Sequence, residues 1–165
     1  MNDFVFTGKI SINALCSHNT YSKSTCNECI KACPFEALAI DFDNNIVIGD
    51  CIGCGVCYSA CENDAIELNR NLDIDIVKNV TEPSFGCIFA KGYNKISCIS
   101  RLGENLIVYF VLKFGYINIF KGNCENCKFK MSLEVFEKNL KKTQEILKAL
   151  DISFDGVKIE QSSLD

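Results

Sequence analysis

The chain has 165 residues, a net charge of −4 and an isoelectric point near 5.1, so it has no general attraction for nucleic acid or anionic lipid. Apolar residues make up 48% of the sequence, which is enough for a globular core, and 12 residues are cysteines. Residues 1–7 contain neither the basic nor the apolar region of an export signal, which predicts a cytoplasmic protein whose clustered cysteines bind metal rather than form disulfides.

Two cysteine runs follow in the first half of the chain. Residues 26–34 read C-N-E-C-I-K-A-C-P, and residues 51–61 read C-I-G-C-G-V-C-Y-S-A-C. The second run has the spacing C-x2-C-x2-C-x3-C, and the first has the same spacing without its leading cysteine. This is the ligand pattern of [4Fe–4S] clusters in two-cluster ferredoxins, where the last cysteine of each run points away and binds the other cluster. Structural zinc is the alternative, although zinc sites usually pair two C-x2-C units at a longer separation.

Crossing the two runs predicts the ligand sets. These are Cys33, Cys51, Cys54 and Cys57 for one cluster, and Cys26, Cys29 and Cys61 for the other. The expected position of the missing cysteine holds Lys23, which cannot bind iron while it is protonated. We favour Cys16 as the fourth ligand, because residues 17–22 can form a loop that brings it in. The alternatives are His18, which the sequence otherwise predicts as an exposed loop residue, or a three-ligand site with a [3Fe–4S] cluster or a labile fourth iron.

An internal repeat underlies the two runs, since residues 32–40 align with residues 60–68. Each copy predicts a short helix carrying the last cysteine and then a strand, at residues 39–42 and 66–68. A turn signal at residues 43–45 leads into another strand at 46–48. Residues 70–82 alternate apolar and polar positions, which predicts an extended strand or connector.

The composition changes beyond residue 80. Short apolar segments at 85–90 and 95–100 precede an apolar helix over 103–114 that Gly115 would cap. A strand at 116–120 and an amphipathic helix over 132–150 follow, with a short tail at 151–153. This alternation predicts a small α/β domain at 81–165 after a ferredoxin-like dicluster domain at 1–80, an α+β chain overall. The longest apolar stretch, residues 106–120, is too short and interrupted to predict a transmembrane segment.

Four further cysteines lie in the second half, and four thiolates suffice for one more metal centre. They are Cys87, Cys98, Cys124 and Cys127. Three lie near the ends of predicted strands, where α/β sheets carry ligand sites. A [2Fe–2S] cluster, a [4Fe–4S] cluster, zinc and no metal all remain open, because a free buried cysteine is common as a small apolar residue.

Two resemblances cover most of the chain. Residues 16–68 resemble the bacterial-type dicluster ferredoxins. Residues 85–160 are similar to the iron–sulfur (delta) subunit of methyl-viologen-reducing hydrogenase, through C-I-S-R-L at 98–102, the strand at 116–120, the loop G-N-C-E-N-C at 122–127 and the long helix at 132–150. The second resemblance implies a [2Fe–2S] cluster held by Cys87, Cys98, Cys124 and Cys127. It also implies a role in relaying electrons between a hydrogenase- or formate-dehydrogenase-type enzyme and a flavoprotein-type subunit.

The favoured function is therefore electron transfer without a catalytic site of its own, because no phosphate-binding loop, serine–histidine pair or paired-carboxylate motif stands out. A redox- or iron-responsive sensor or cluster carrier is one alternative, and an oxidoreductase with a Cys124–Cys127 dithiol is another. Six lysines on or near the last helix predict a solvated face or a docking patch for an acidic partner. They are Lys128, Lys130, Lys138, Lys141, Lys142 and Lys148.

Overall fold

The computed structural model describes residues 2–5, 8–68 and 72–162. The first half contains β1 (Asn2–Phe4), β2 (Ile10–Ile12), α1 (Ser17–Thr20), α2 (Glu28–Ala32), β3 (Leu38–Ile40), β4 (Ile46–Ile48), α3 (Val56–Ala60) and β5 (Ile66–Leu68). The second half contains α4 (Leu72–Asn79), β6 (Ser84–Cys87), β7 (Asn94–Ile96), α5 (Glu104–Phe114), β8 (Ile117–Lys121), α6 (Leu133–Ala149) and β9 (Val157–Gln161), with a 3₁₀ turn at Ile99–Arg101. The mixed helix and strand content agrees with the predicted α+β class.

The repeat in the sequence is also a repeat in the backbone. Helices α2 and α3 each end just before the last cysteine of a run, Cys33 or Cys61, whose backbone is extended. Three residues later, Glu36 and Asp64 have nearly equal positive φ angles of 52° and 51°. Strands β3 and β5 follow, and each pairs with an antiparallel partner, β4 and β2 respectively. The two cysteine runs are therefore related by an approximate two-fold arrangement.

Residues 72–79 form helix α4, so the predicted strand or connector is wrong there. Ile76 and Val80, four residues apart, are both almost fully buried, and this spacing places them on one face of a helix. Asp73 and Asp75 lie in the first helical turn, where acidic side chains are stabilised by the helix dipole. Residues 70 and 71 lie outside the described part of the chain.

The second half is built on a five-stranded parallel sheet with the strand order β1-β7-β6-β8-β9. The predicted strand at 116–120 is β8, and the predicted helices are α5 and α6. Gly115 ends α5 with φ 81°, as a glycine cap does. Two strands of this sheet were not predicted. Strand β9 lies beyond the last predicted element, the tail at 151–153, and β1 lies at the opposite end of the chain.

Strand β1 crosses the boundary that the sequence predicted at residue 80, since it pairs in parallel with β7 of the C-terminal sheet. The division into 1–80 and 81–165 otherwise stays a prediction. The larger core lies around this sheet, where Phe85, Ile96, Phe110 and Ile117 are fully buried. The core of the first half is smaller and consists partly of cysteines.

A buried arginine joins the halves. Arg101 is 1% exposed, its Nη2 donates to Asp73 at the start of α4, and its guanidinium lies 4.9 Å from the centroid of the Tyr58 ring on α3. Its Nε and Nη1 have no hydrogen-bond partner among the described residues. Asp73 is therefore the carboxylate that compensates this buried charge.

Two of the six predicted lysines also contact the first half. Lys138 and Lys142 on α6 lie 3.0 and 3.1 Å from a carboxylate oxygen of Glu62, and Lys138 also lies 3.5 Å from Glu28. Among the described residues, none of the helices combines the length and apolar character needed to cross a bilayer.

Candidate iron–sulfur sites

The twelve cysteines, all within the described residues, are free thiols and gather around three separate cavities. We call the sets the outer, middle and C-terminal sets. The outer set is Cys16, Cys26, Cys29 and Cys61. The middle set is Cys33, Cys51, Cys54 and Cys57. The C-terminal set is Cys87, Cys98, Cys124 and Cys127. The structure thus brings together the residues of each predicted ligand set, whereas ligation itself stays a prediction.

The loop of the middle set turns on two glycines. Gly53 and Gly55 have φ angles of 71° and 75°, a conformation that glycine adopts without strain. A Cβ on Gly53 would lie 2.1 Å from the carbonyl oxygen of Gly8, so the two backbones meet there. The turn also lets the N–H of Gly53 donate to Cys51 Sγ at 3.3 Å. The cavity that these four cysteines line has a volume of about 10 Å³.

Main-chain N–H groups donate to the last cysteine of each run. Ala37 N–H donates to Cys33 Sγ at 3.3 Å, and Ala65 N–H donates to Cys61 Sγ at 3.4 Å. These bonds occupy equivalent places in the repeat, because each donor lies four residues after the cysteine that accepts. Such donors stabilise the thiolate relative to the thiol. The thiolate is the form that binds iron.

Burial favours the neutral form of the same thiols. It raises the pKa of Cys29 and Cys54 to about 11, and it raises the pKa of Cys57 further still. Neighbouring cysteines add to the effect, with Cys61 the largest contributor at Cys29 and Cys54 at Cys57. Crowded thiols with raised pKa values resist ionising together, and a positively charged metal group among them removes that penalty. The donor sets therefore fit such a group.

Cys16 joins the outer set through helix α1. It precedes the helix directly and lies near enough to Cys29 that its negative charge would raise the pKa of Cys29. His18 on the same helix is buried, contrary to the prediction of an exposed loop residue. Its Nδ1 lies 2.8 Å from the carbonyl oxygen of Asn44, and its Nε2 lies 2.7 Å from that of Cys26. Because both ring nitrogens face carbonyl oxygens, this geometry favours Cys16 over His18 as the fourth ligand.

The C-terminal set lies at the carboxyl ends of three neighbouring parallel strands. Cys87 ends β6, Cys98 follows β7, and Cys124 and Cys127 lie on the 3₁₀ loop after β8. Ligand sites of open α/β sheets lie at this edge. The cavity between the thiols has a volume of about 560 Å³. Burial raises the pKa of Cys98 and of Cys124, and a charge on Cys98 raises the pKa of Cys124 further.

A single metal ion needs donors much closer together than a cluster does. A tetrahedral zinc with sulfur at 2.3 Å holds its sulfurs about 4 Å apart. In the described part of the chain, no group of three or more His, Cys, Asp or Glu side chains is compact enough for one ion. The cysteines instead surround cavities.

The comparisons with known proteins agree with the geometry of the first half. Residues 24–66 match the family of 4Fe-4S dicluster domains. A ferredoxin from Methanothermococcus thermolithotrophicus is 44% identical over 47 residues, which are 27% of this chain and 78% of the relative. The chain belongs to the ferredoxin family. No solved structure matches it.

The ferredoxin is therefore an iron–sulfur electron-transfer protein with a [4Fe–4S] dicluster domain, as the sequence predicted. Both matches lie in the first half of the chain. The similarity of residues 85–160 to the hydrogenase delta subunit, and a third metal centre, stay predictions. The sequence did not predict that His18 is buried. The only signal was its position, two residues after Cys16, a cysteine that lies outside the two runs.

Proposed function

We propose that this ferredoxin relays electrons between subunits of a larger redox complex through three iron–sulfur centres. The outer and middle sets would each hold a [4Fe–4S] cluster, and the C-terminal set a [2Fe–2S] cluster. The supporting observation is that twelve free thiols gather as three sets of four, each around its own cavity. Such clusters gain and lose one electron with little movement of their ligands.

The chain's own residues would bind the clusters, bury them and tune them. The N–H groups of Ala37, Gly53 and Ala65 donate to cysteine sulfurs of the outer and middle sets, which stabilises negative charge there. In the C-terminal set, Phe129 N–H donates to Cys127 Sγ at 3.5 Å. All four donors are main-chain groups and carry no proton that a reaction would move. This is the equipment of a non-catalytic subunit in an oxidoreductase complex.

The dithiol alternative is weaker for a specific reason. A reactive dithiol cysteine needs a pKa below its ordinary value, so that the thiolate is present at neutral pH. Burial and the neighbouring Cys98 instead raise the pKa of Cys124. Zinc in the C-terminal set remains the alternative to a cluster, and the metal analysis below distinguishes them. The proposed partners are hydrogenase-, formate-dehydrogenase- or flavoprotein-type subunits, in the cytoplasm.

The test is anaerobic iron, sulfide and zinc analysis of the purified chain, with electron paramagnetic resonance (EPR) of the dithionite-reduced sample. We expect about ten irons, eight in two [4Fe–4S] clusters and two in a [2Fe–2S] cluster. The Cys98→Ser variant should lose about two irons and the [2Fe–2S] signal, while Cys54→Ser should lose about four. About eight irons in both the wild type and Cys98→Ser, or one zinc per chain, would overturn the third cluster.

The relay itself is tested by anaerobic purification of the tagged chain from its own cells, followed by mass spectrometry of the proteins that elute with it. A stoichiometric complex with a hydrogenase, formate dehydrogenase or flavoprotein subunit supports the relay. A fully loaded chain that is recovered only as a free protein contradicts it.

A further inference from the structure

We infer that the middle set is the centre of the relay and that electrons cross between the two halves at a junction beside Cys54 and Cys98. This inference rests on the proposed function, since it needs a metal centre in the C-terminal set. It adds an order, outer to middle to C-terminal, and it names the residues at which the halves exchange electrons.

A buried hydrogen bond joins the two segments that carry Cys54 and Cys98. Ser97 Oγ donates to the carbonyl oxygen of Cys54 at 2.7 Å, and the serine is 1% exposed. Cys98 is the next residue along the chain. The hydrogen bond therefore places the segment that carries Cys98, in the C-terminal set, directly against the backbone of Cys54, in the middle set.

An aromatic pair makes a second contact between the same two sets. Phe35, two residues after Cys33, packs edge-on against Phe129, two residues after Cys127, with ring centroids 5.4 Å apart. Lys128 Nζ lies 5.2 Å from the centroid of the Phe35 ring. The segment that carries Cys98 and the loop that carries Cys124 and Cys127 thus both pack against segments of the middle set.

The junction is held by contacts outside the cysteines. Ser59 Oγ on α3 donates to the carbonyl oxygen of Ser100, in the 3₁₀ turn after Cys98. Two residues before Ser59, Cys57 contributes to the middle set. This hydrogen bond holds α3, which carries Cys57, against the 3₁₀ turn that follows Cys98.

The outer set meets the middle set on another side. Helix α2, which carries Cys29, packs against α3, which carries Cys57. The middle set therefore adjoins the segment of Cys29 on one side and the segment of Cys98 on the other. An electron that enters at the outer set would reach the C-terminal set through the middle one.

The step is a one-electron exchange between adjacent centres. One centre is oxidised and its neighbour is reduced, no bond is formed or broken, and no proton needs to move. A one-electron donor protein at one end and a one-electron acceptor, such as a protein-bound flavin, at the other end complete the balance.

The test uses the magnetic interaction between reduced centres in the full chain. Cys29→Ser empties the outer set, and Cys57→Ser, a matched change of an equally buried thiol, empties the middle set. In each reduced variant the [2Fe–2S] signal is recorded for line broadening and microwave-power saturation. We expect the broadening and fast relaxation to persist in Cys29→Ser and to be lost in Cys57→Ser.

The opposite pattern, or no interaction in either variant, would overturn the order. If Cys57→Ser does not fold, a reductive titration of the wild type and Cys29→Ser decides the question, because the signal must broaden as the one remaining [4Fe–4S] cluster is reduced. Failure of the proposed function gives a different result, since no third signal would then appear in the wild type. That result would overturn the third centre and the junction together.

Discussion

Replacing His18 by alanine tests how the Cys16 segment is held in the outer set. The imidazole is 6% exposed, and its nitrogens face the carbonyl oxygens of Cys26 and Asn44. The doubly protonated ring donates at both positions, and the neutral ring donates at one. Removing it takes the polar partner away from both carbonyl oxygens, in hydrogen bonds that are part-buried, and leaves a cavity where the ring was, at a cost of about 2–3 kcal/mol.

This cost falls on a short segment rather than on the whole fold, because α1 has only four residues and its other hydrogen bonds are exposed or local. At about 1.4 kcal/mol per factor of ten, the segment should open about 30 to 150 times more often. If Cys16 is the fourth ligand, each opening exposes one iron of the outer cluster. We therefore expect the outer cluster to lose that iron faster by a similar factor.

The assay follows the appearance of a [3Fe–4S] signal by EPR after the anaerobic protein is exposed to a mild oxidant, with iron analysis at each time point. Thr20→Ala is the matched control, because the Thr20 hydroxyl is exposed and bonds only to carbonyl oxygens of its own helical turn. Equal rates of iron loss in His18→Ala and Thr20→Ala would refute the reasoning. Loss of iron from the middle cluster first would refute it as well.

Three further changes have expected outcomes. Gly53→Ala should lose about four irons, because its φ is 71° and its Cβ would meet a facing backbone oxygen. Gly49→Ala should retain them, because its Cβ would meet only the carbonyl oxygen of Ala37, at an ordinary contact distance of 3.8 Å. Asp73→Asn should destabilise the protein by about 2–4 kcal/mol in thermal unfolding, since it leaves the charge of Arg101 buried and uncompensated. Adding Arg101→Met to this variant should recover part of the lost stability. If no stability is recovered, the explanation is contradicted. Lys142→Ala should lower the free energy of unfolding by less than about 1 kcal/mol, because the ion pairs of Lys142 are largely exposed. The effect should be smaller at high salt, which screens exposed charges. A larger loss that does not depend on salt would point to packing instead.

The grouping of the cysteines was predictable because it depends on local geometry. A C-x2-C-x2-C loop can close around a cluster only if its turns are tight, and Gly53 and Gly55 in the sequence already indicated such turns. The crossing of Cys33 and Cys61 followed from the repeat. The position of Cys16 was harder to predict, because its approach to the outer set depends on the contacts of His18 with the backbone of two other segments.

The elements that were missed depend on distant partners. Strand β1 has three residues, and it is a strand only because β7 offers it a parallel edge. Helix α4 was hidden by an alternating pattern, because its exposed Ile74 falls between polar positions. The amphipathic pattern of α6 does not locate every buried residue, because Asn139 and Thr143 are buried although they are polar. Asn139 can be buried because its Nδ2 donates to the carbonyl oxygen of Leu102, a contact that no periodicity reveals.

Charge is distributed unevenly between the two halves of this ferredoxin. Residues 32–68 contain no lysine or arginine, and their acidic residues are Glu36, Asp41, Asp43, Asp50, Glu62, Asp64 and Glu67. Lys138 and Lys142 face the acidic half, so part of the predicted docking patch is occupied within the chain. Lys128, Lys130, Lys141 and Lys148 are also exposed and are the lysines that a separate acidic partner could reach. Exposed ion pairs contribute little stability one by one, so their effect here is to orient α6 toward α3, while the buried serine contacts beside Cys54 fix the distance.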